Sequence, residues 1–268
     1  MHFGKNFVGI SMENTQTFGC CTLAFIPLRA SASHRSEMVS QLLFGESYRI
    51  ISADGDWLEV ETGFDRYHGF IAANQHTGIS EPELLRWHGA ATRTAPKPLH
   101  LRCHETQAVM TIPTAATLPE APDTFNIGSH TFSLLEPVGT IPLKAILDSY
   151  INAPYLWGGR TPWGLDCSGF TQAIFKTQGF ALPRDASQQQ KLGSERSLSE
   201  ARFGDLAFFR NDEGRIIHVG FILDNRYILH CSGSVRTDMI DGTGIFRESD
   251  RQYTHQLHSI RHIYNLTE

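Results

Sequence analysis

Asp166-Cys167-Ser168-Gly169, followed far downstream by His218 and His230, brings together residue types that perform acyl transfer. A thiolate attacks a carbonyl, an imidazole carries the proton, and a third polar group orients the imidazole. Phe170, Ala173 and Ile174 recur at helical spacing after the Cys, and Gly179 supplies a stop. Cys167 therefore falls at a helix start, where unpaired N–H groups and the positive dipole end are expected to lower its pKa. Cys103 and Cys231 lack such partners and read as structural thiols.

His218 and His230 are twelve residues apart in segments that read as strands. Side chains alternate along a strand, so the parity of the connecting loop decides whether both share a face. A two-residue loop at Asp224-Asn225 would separate them. A three-residue loop, Asp224-Asn225-Arg226 with Asn225 or Arg226 left-handed, restores one face. The spacing predicts an odd-length loop or a bulge. His218 then serves as general base and His230 orients it, with Gly220 on the same face allowing close approach of another element. The opposite face (Ile217, Val219, Phe221, Leu223, Tyr227, Leu229, Cys231) is apolar. The Cys167 N–H is the expected oxyanion donor.

These groups need a scaffold, and 268 residues leave room for two or three domains. Residues 1–78 contain closely spaced short strands with Gly and Asp turns, as in Trp57-Leu58-Glu59-Val60-Glu61, and predict a small β-barrel. Residues 79–140 read as a second, degenerate barrel introduced by a short helix at Glu81 to His88. Residues 141–268 change character. A helix with Pro142 in its first turn and the Cys helix precede strands at Asp205–Phe209, Ile216–Leu223, Arg226–Cys231 and Ser259–Tyr264. Helices first and an antiparallel sheet second define an α+β domain.

Composition narrows the function classes. Hydrophobic content of 41% and charged content of 19% describe an ordinary globular chain, and a net charge of −5 without a basic stripe argues against nucleic acid. Five scattered Cys make no disulfide framework. His100, Cys103 and His104, or His255, His258 and His262, could be donor sets, but no HExxH accompanies them; neither metal nor cofactor is expected. The first ten residues carry no apolar stretch long enough for a secretory signal, Cys20–Pro27 is too short, and no run approaches the roughly twenty apolar residues of a membrane span. The expectation is a cytoplasmic protein without a membrane partner, or a periplasmic or secreted one if a signal has been removed.

Five segments in order carry a resemblance: Tyr155-Leu156-Trp157-Gly158-Gly159, Gly164 to Phe170, Leu182-Pro183-Arg184-Asp185, Gly204 to Phe209, and His218-Val219-Gly220. They resemble the NlpC-type cell-wall cysteine endopeptidases, which implies a papain-like α+β fold over roughly residues 141–264. The earlier Gly45-Glu46, Trp57-Leu58 and Tyr67-His68-Gly69-Phe70-Ile71 elements resemble a bacterial SH3-like module. Together they look like the γ-D-glutamyl-L-diamino acid endopeptidases. Those cut peptidoglycan stem peptides between D-Glu and the diamino acid (diaminopimelate or Lys) and require a free N-terminal L-Ala. By position, Cys167, His218 and His230 match the nucleophile, base and orienting residue. Asp166 and Ser168 match positions that bind the substrate's amine and D-Glu, Tyr155 matches a Tyr near the nucleophile, and Tyr67 matches an SH3-like residue closing the pocket. Ala186 stands where some relatives have a substrate-binding Ser, with Ser187 adjacent as its substitute. The implied partners are peptidoglycan-derived peptides, in cell-wall peptide recycling. An amidase or transferase on the same scaffold, or a non-catalytic wall-binding protein, are the alternatives.

Overall fold

The computed structural model describes residues 17–89 and 92–266; the amino-terminal residues read above for a signal lie outside the described residues. The first unit is one antiparallel sheet of seven short strands: β1 (Phe18–Cys20), β2 (Phe25–Arg29), β3 (Met38–Leu43), β4 (Ser47–Asp54), β5 (Trp57–Thr62), β6 (His68–Ala72) and β7 (Gly78–Ile79). Alternation puts Leu58, Val60 and Thr62 of β5 inward, where Leu58 and Val60 pack with Ile26, Leu28, Leu42 and Ile71. A helix, α1 (Glu81–Gly89), follows where the sequence predicts one.

The second unit holds β8 (Thr92–Thr94), β9 (Leu99–Cys103), β10 (Val109–Ile112), β11 (Thr117–Pro119), β12 (Thr124–Ile127) and β13 (His130–Leu134). Four of these form a sheet in the order β10-β9-β13-β12, and β8 pairs with β11. Its core gathers Leu99, Leu101, Phe125 and Phe132, and Phe44 joins it from the first unit.

The carboxy-terminal unit begins with α2 (Leu143–Tyr150), β14 (Arg160–Thr161), β15 (Gly164–Leu165), α3 (Cys167–Thr177) and α4 (Ala186–Gln189). It continues through β16 (Ser194–Arg196), β17 (Leu206–Arg210), β18 (Ile216–Ile222), β19 (Tyr227–Ser232), β20 (Ser234–Ile240), β21 (Gly244–Arg247) and β22 (Gln252–His262). The run β22-β17-β18-β19-β20-β21 closes on itself because β21 also pairs with β22, giving a six-stranded barrel with β16 added outside. Closure removes the free edges that so many short strands would otherwise expose. Two of its strands, β20 and β21, are absent from the sequence reading, which assigns no strand between Cys231 and Ser259.

Helix α3 lies against the outside of this barrel. Phe170, Ala173 and Ile174 share a core with Val219, Phe221, Leu229 and Cys231, the apolar face predicted for the two His strands. Exposed Ile217 and Tyr227 at its margins are the exceptions. The helix ends as Gly179 implies: Gly179 takes φ +82°, its N–H meets the Lys176 carbonyl, and the Phe180 N–H meets that of Phe175.

The other side of α3 faces the first unit through polar contacts. Gln172 donates to Asp65, and Lys176 donates to Glu46, which Arg160 also grips. Gly158, at φ +76°, makes the Trp157-Gly158-Gly159 turn possible; a Cβ there would lie 2.1 Å from the Met38 carbonyl oxygen. The two units thus meet too closely at this turn for any larger residue.

Candidate active site

Asp166 is the N-cap of α3, its Oδ1 accepting the Gly169 N–H at 2.7 Å while Oδ2 accepts the Gly158 N–H at 2.9 Å. Buried Arg184 grips both oxygens of that carboxylate and also donates to Ser168 Oγ at 2.9 Å and Ser40 Oγ at 3.1 Å. One guanidinium thereby ties the start of the Cys helix to the first unit. In the sequence Arg184 stands inside the Leu182-Pro183-Arg184-Asp185 motif with nothing to mark it as part of the site.

Cys167, 7% exposed, opens the helix directly after this cap. Burial and then the Asp166 carboxylate push its thiol up to about 12, against the Val219 N–H, Arg184 and the Ser168 N–H. This corrects the expectation of a lowered pKa. Cys167 packs into the core of its own unit with little of it reaching solvent, and its cap adds a negative charge where the dipole is positive.

The His strands obey the parity argument. Gly220 pairs with His230 and Ile222 with Ile228, so His218, Gly220 and His230 share the barrel's inner face. The loop has three residues, with Leu223 and Tyr227 joined across it, but neither Asn225 nor Arg226 is left-handed. The Asp224 side chain turns the chain instead, accepting the N–H groups of Arg226 and Tyr227. A register shift opposite Phe209 and Arg210 adds a bulge at Ile217, next to His218. A Cβ on Gly220 would press on Ile228 at 2.6 Å and on the His230 Cβ at 2.9 Å, which explains the glycine.

His218 Nε2 and His230 Nδ1 are 2.9 Å apart, and His230 Nε2 continues to Asp238 Oδ2 at 3.0 Å. His255 stacks on His218 with centroids 4.2 Å apart. Among the described residues the Cys167 sulfur makes no hydrogen bond to either imidazole; it faces the N–H of Val219, one residue from His218. Catalytic hydrogen bonds are often long without substrate and tighten in the bound complex. Burial, then His255 and His230, hold His218 well below the ordinary imidazole range. The resting pair is therefore thiol and neutral imidazole.

That state has a direct chemical readout. Iodoacetamide labelling of Cys167, followed by peptide mass spectrometry, is expected to rise steadily with pH from about 6 to 9, because the thiolate is the nucleophile and its pKa is raised. A rate already level between about pH 6 and 8 would indicate a preformed thiolate and contradict this.

A cleft of about 470 Å³ opens over Cys167, lined by Asp166, Ser168, Arg184, Asp185, Ala186 and Ser187 on one side and Glu37, Val39 and Tyr67 on the other, with Trp157 and Ile217 between. Tyr67 donates to Asp185 Oδ1 at 3.1 Å, bridging the two units. Burial and Asp185 push its hydroxyl up to about 12, so it stays a donor. Tyr155 is partly exposed and is not among the residues lining the cleft; burial, then Cys167 and Asp166, raise its pKa. Ser187 is exposed at the rim. Of the donor sets weighed in the sequence, His255, His258 and His262 lie on strand β22, and Cys103 groups with Glu105 and His130 rather than with His100 and His104.

Sequence reasoning gave Glu37, Asp185 and Asp238 no part in the site and weighed His255 only as a metal donor. Asp238 carried a usable signal: it lies eight residues beyond His230 across the Gly233 turn, the parity that keeps it on the same face.

Residues 152–255 match the NlpC/P60 family, and residues 28–75 match the bacterial dipeptidyl-peptidase Sh3 domain. The chain carries an NlpC/P60 peptidase domain preceded by an SH3-like domain of that bacterial type. It is similar to the gamma-D-glutamyl-L-lysine dipeptidyl-peptidase of Bacillus subtilis strain 168, being 45% identical over 83 residues, 30% of this chain and 28% of that relative. It is also 39% identical over 126 residues to the murein DD-endopeptidase MepS/murein LD-carboxypeptidase of Escherichia coli K12, 42% of this chain and 66% of that one. An NlpC/P60 family protein from Bacillus cereus ATCC 10987 has the same fold, with a TM-score of 0.74 at 17% identity over 91% of this chain and 99% of that one.

Proposed function

We propose that the protein is a cysteine endopeptidase that hydrolyses the γ-D-glutamyl–L-diamino acid bond of peptidoglycan stem peptides bearing a free N-terminal L-Ala. The observation that carries this reading is the wall of the cleft. Glu37, Val39 and Tyr67 of the SH3-like unit stand across from Cys167. Three carboxylates, Glu37, Asp166 and Asp185, line the cleft with one guanidinium, Arg184, which is paired to Asp166. That excess of negative charge favours an ammonium group, and the SH3-like wall across the cleft would disfavour a glycan-linked amide. Released peptides, as in cell-wall recycling, fit this cleft better than intact sacculus.

In this reading His218 takes the Cys167 proton as sulfur attacks the γ-carbonyl of D-Glu. The Cys167 N–H, at the first position of α3 and without an intrahelical acceptor, stabilises the oxyanion. His218 then protonates the departing amine of the diamino acid, and water hydrolyses the thioester. Ser168 holds Arg184 and lies where D-Glu passes, while Ser187 at the rim replaces the contact that Ala186 cannot make.

The test pairs L-Ala-γ-D-Glu-L-Lys and its diaminopimelate counterpart with N-acetylated copies. Acetylation removes the charge read by the carboxylates and is expected to lower kcat/KM by about 30-fold or more, as loss of a buried charge contact does. Equal cleavage of free and acetylated peptides would overturn the amine-reading cleft.

A further inference from the structure

We propose that Asp238 selects the tautomer of His230 and, through it, leaves Nδ1 of His218 unprotonated to receive the Cys167 proton. The inference rests on reading His218 as the general base. It begins with a carboxylate, which can only accept. Asp238 Oδ2 lies 3.0 Å from His230 Nε2, so that nitrogen carries the hydrogen. A neutral imidazole has one N–H, so His230 Nδ1 is an acceptor. His218 Nε2, 2.9 Å away, must donate to it. The only lone pair left on His218 is then at Nδ1. The opposite tautomer of His230 would point a lone pair at a carboxylate.

The surroundings keep Asp238 available for this role. It is 8% exposed, and its other oxygen accepts from Arg236 Nη2 at 2.7 Å. The charged or titratable groups facing it are His230 from β19, Arg236 of its own strand, Arg247 from β21 and His255 from β22. The register explains how it arrives there: Ile228 pairs with Asp238 and His230 with Arg236, so Asp238 meets His230 diagonally on the inner face. His255, stacked on His218 at an interplanar angle of 25°, fixes the ring once its tautomer is set. Asp238 does not line the cleft, so it acts as a positioning residue.

The experiment has two arms on the full chain. In the first, ¹⁵N histidine spectra of the Cys167→Ala protein report the tautomers without any turnover. His218 is expected to be protonated at Nε2 alone, and Asp238→Asn, whose amide can donate or accept, is expected to mix the tautomers. Asp238→Glu should restore the pure form. In the second, Asp238→Asn is expected to lower kcat by about 10- to 100-fold with KM little changed, a fraction of the general-base contribution. In a His230→Asn background, whose side-chain oxygen needs no tautomer selection, the same change should have an effect smaller than about threefold. An unchanged His218 tautomer, or an equal loss in both backgrounds, would overturn the proposal. Asp238→Ala gives the same two readouts if Asp238→Asn does not fold. Turnover surviving Cys167→Ala would instead sink the reading of Cys167 as nucleophile, and the proton transfer proposed here with it, while the tautomers read in the first arm would be unaffected.

Discussion

Cys167→Ala is expected to remove hydrolysis of L-Ala-γ-D-Glu-L-Lys, by on the order of 10⁶-fold in kcat, while peptide binding survives. The size follows from the chemistry. Without sulfur no thioester forms, and the remaining donors and pocket contacts act only on a bound peptide attacked by water. The fold should tolerate the change, because Ala fits the space and the cap by Asp166, the Arg184 clamp and the Phe170 face of α3 all stay. Loss of one buried sulfur costs about 1 kcal/mol. Isothermal titration with the uncleaved peptide separates the possibilities. Binding without turnover in the variant, beside turnover in the unaltered protein, supports a nucleophile. Absence of turnover from both would favour a wall-binding role, and equal turnover from both would exclude Cys167 as the attacking group.

Much of this site was legible because it is local in sequence. The Cys helix announces itself through its Phe170-Ala173-Ile174 spacing and its Gly179 stop, and each feature has a matching contact in the fold. The strand pair was legible through parity alone, since twelve residues and a three-residue loop leave His218 and His230 on one face. What escaped is what strand pairing beyond Cys231 creates. Ser234–Ile240 carries Arg236 and Asp238 on an inward face, a pattern that reads as exposed chain until the β19–β20 register turns it inside. His255 reaches His218 because β22 closes the barrel from the far end of the sequence. The thiol pKa was misjudged because spacing does not report burial: Cys167 packs into the core around α3, and burial with the Asp166 carboxylate outweighs the dipole. Glu37 has no spacing relation to Cys167, and interdomain packing brings it to the cleft; Asp185 arrives within the peptidase unit as the N-cap of α4.

That packing depends on Glu46, and Glu46→Gln is expected to lower unfolding stability by about 3–5 kcal/mol, the usual effect of breaking a buried ion pair by removing one partner. Glu46 comes from the SH3-like unit and is buried, with Oε2 accepting from Arg160 at 2.7 Å and Oε1 from Arg160 at 2.9 Å and Lys176 at 2.5 Å. Arg160 and Lys176 belong to the peptidase unit, and both sit over the Phe64 ring. Burial alone would raise the Glu46 pKa, but Arg160 and then Lys176 outweigh it and hold the carboxyl at about 2. A group depressed in the folded state stabilises above its unfolded pKa, about 4.3, and that contribution is lost as pH falls through about 2. Urea unfolding of the unaltered protein should therefore show stability falling in this window, and Glu46→Gln should flatten that part of the curve. Replacing the whole triad by Glu46→Leu, Arg160→Met and Lys176→Met should recover most of the loss, since no charge is then left buried without a partner. Because Glu46 follows β3, near Glu37 and Val39 in the chain, loosening it should also raise KM for the free-amine peptide more than it lowers kcat. Losses that simply add across the three positions would show that the charges act independently and that the seam is held by the apolar contacts around them.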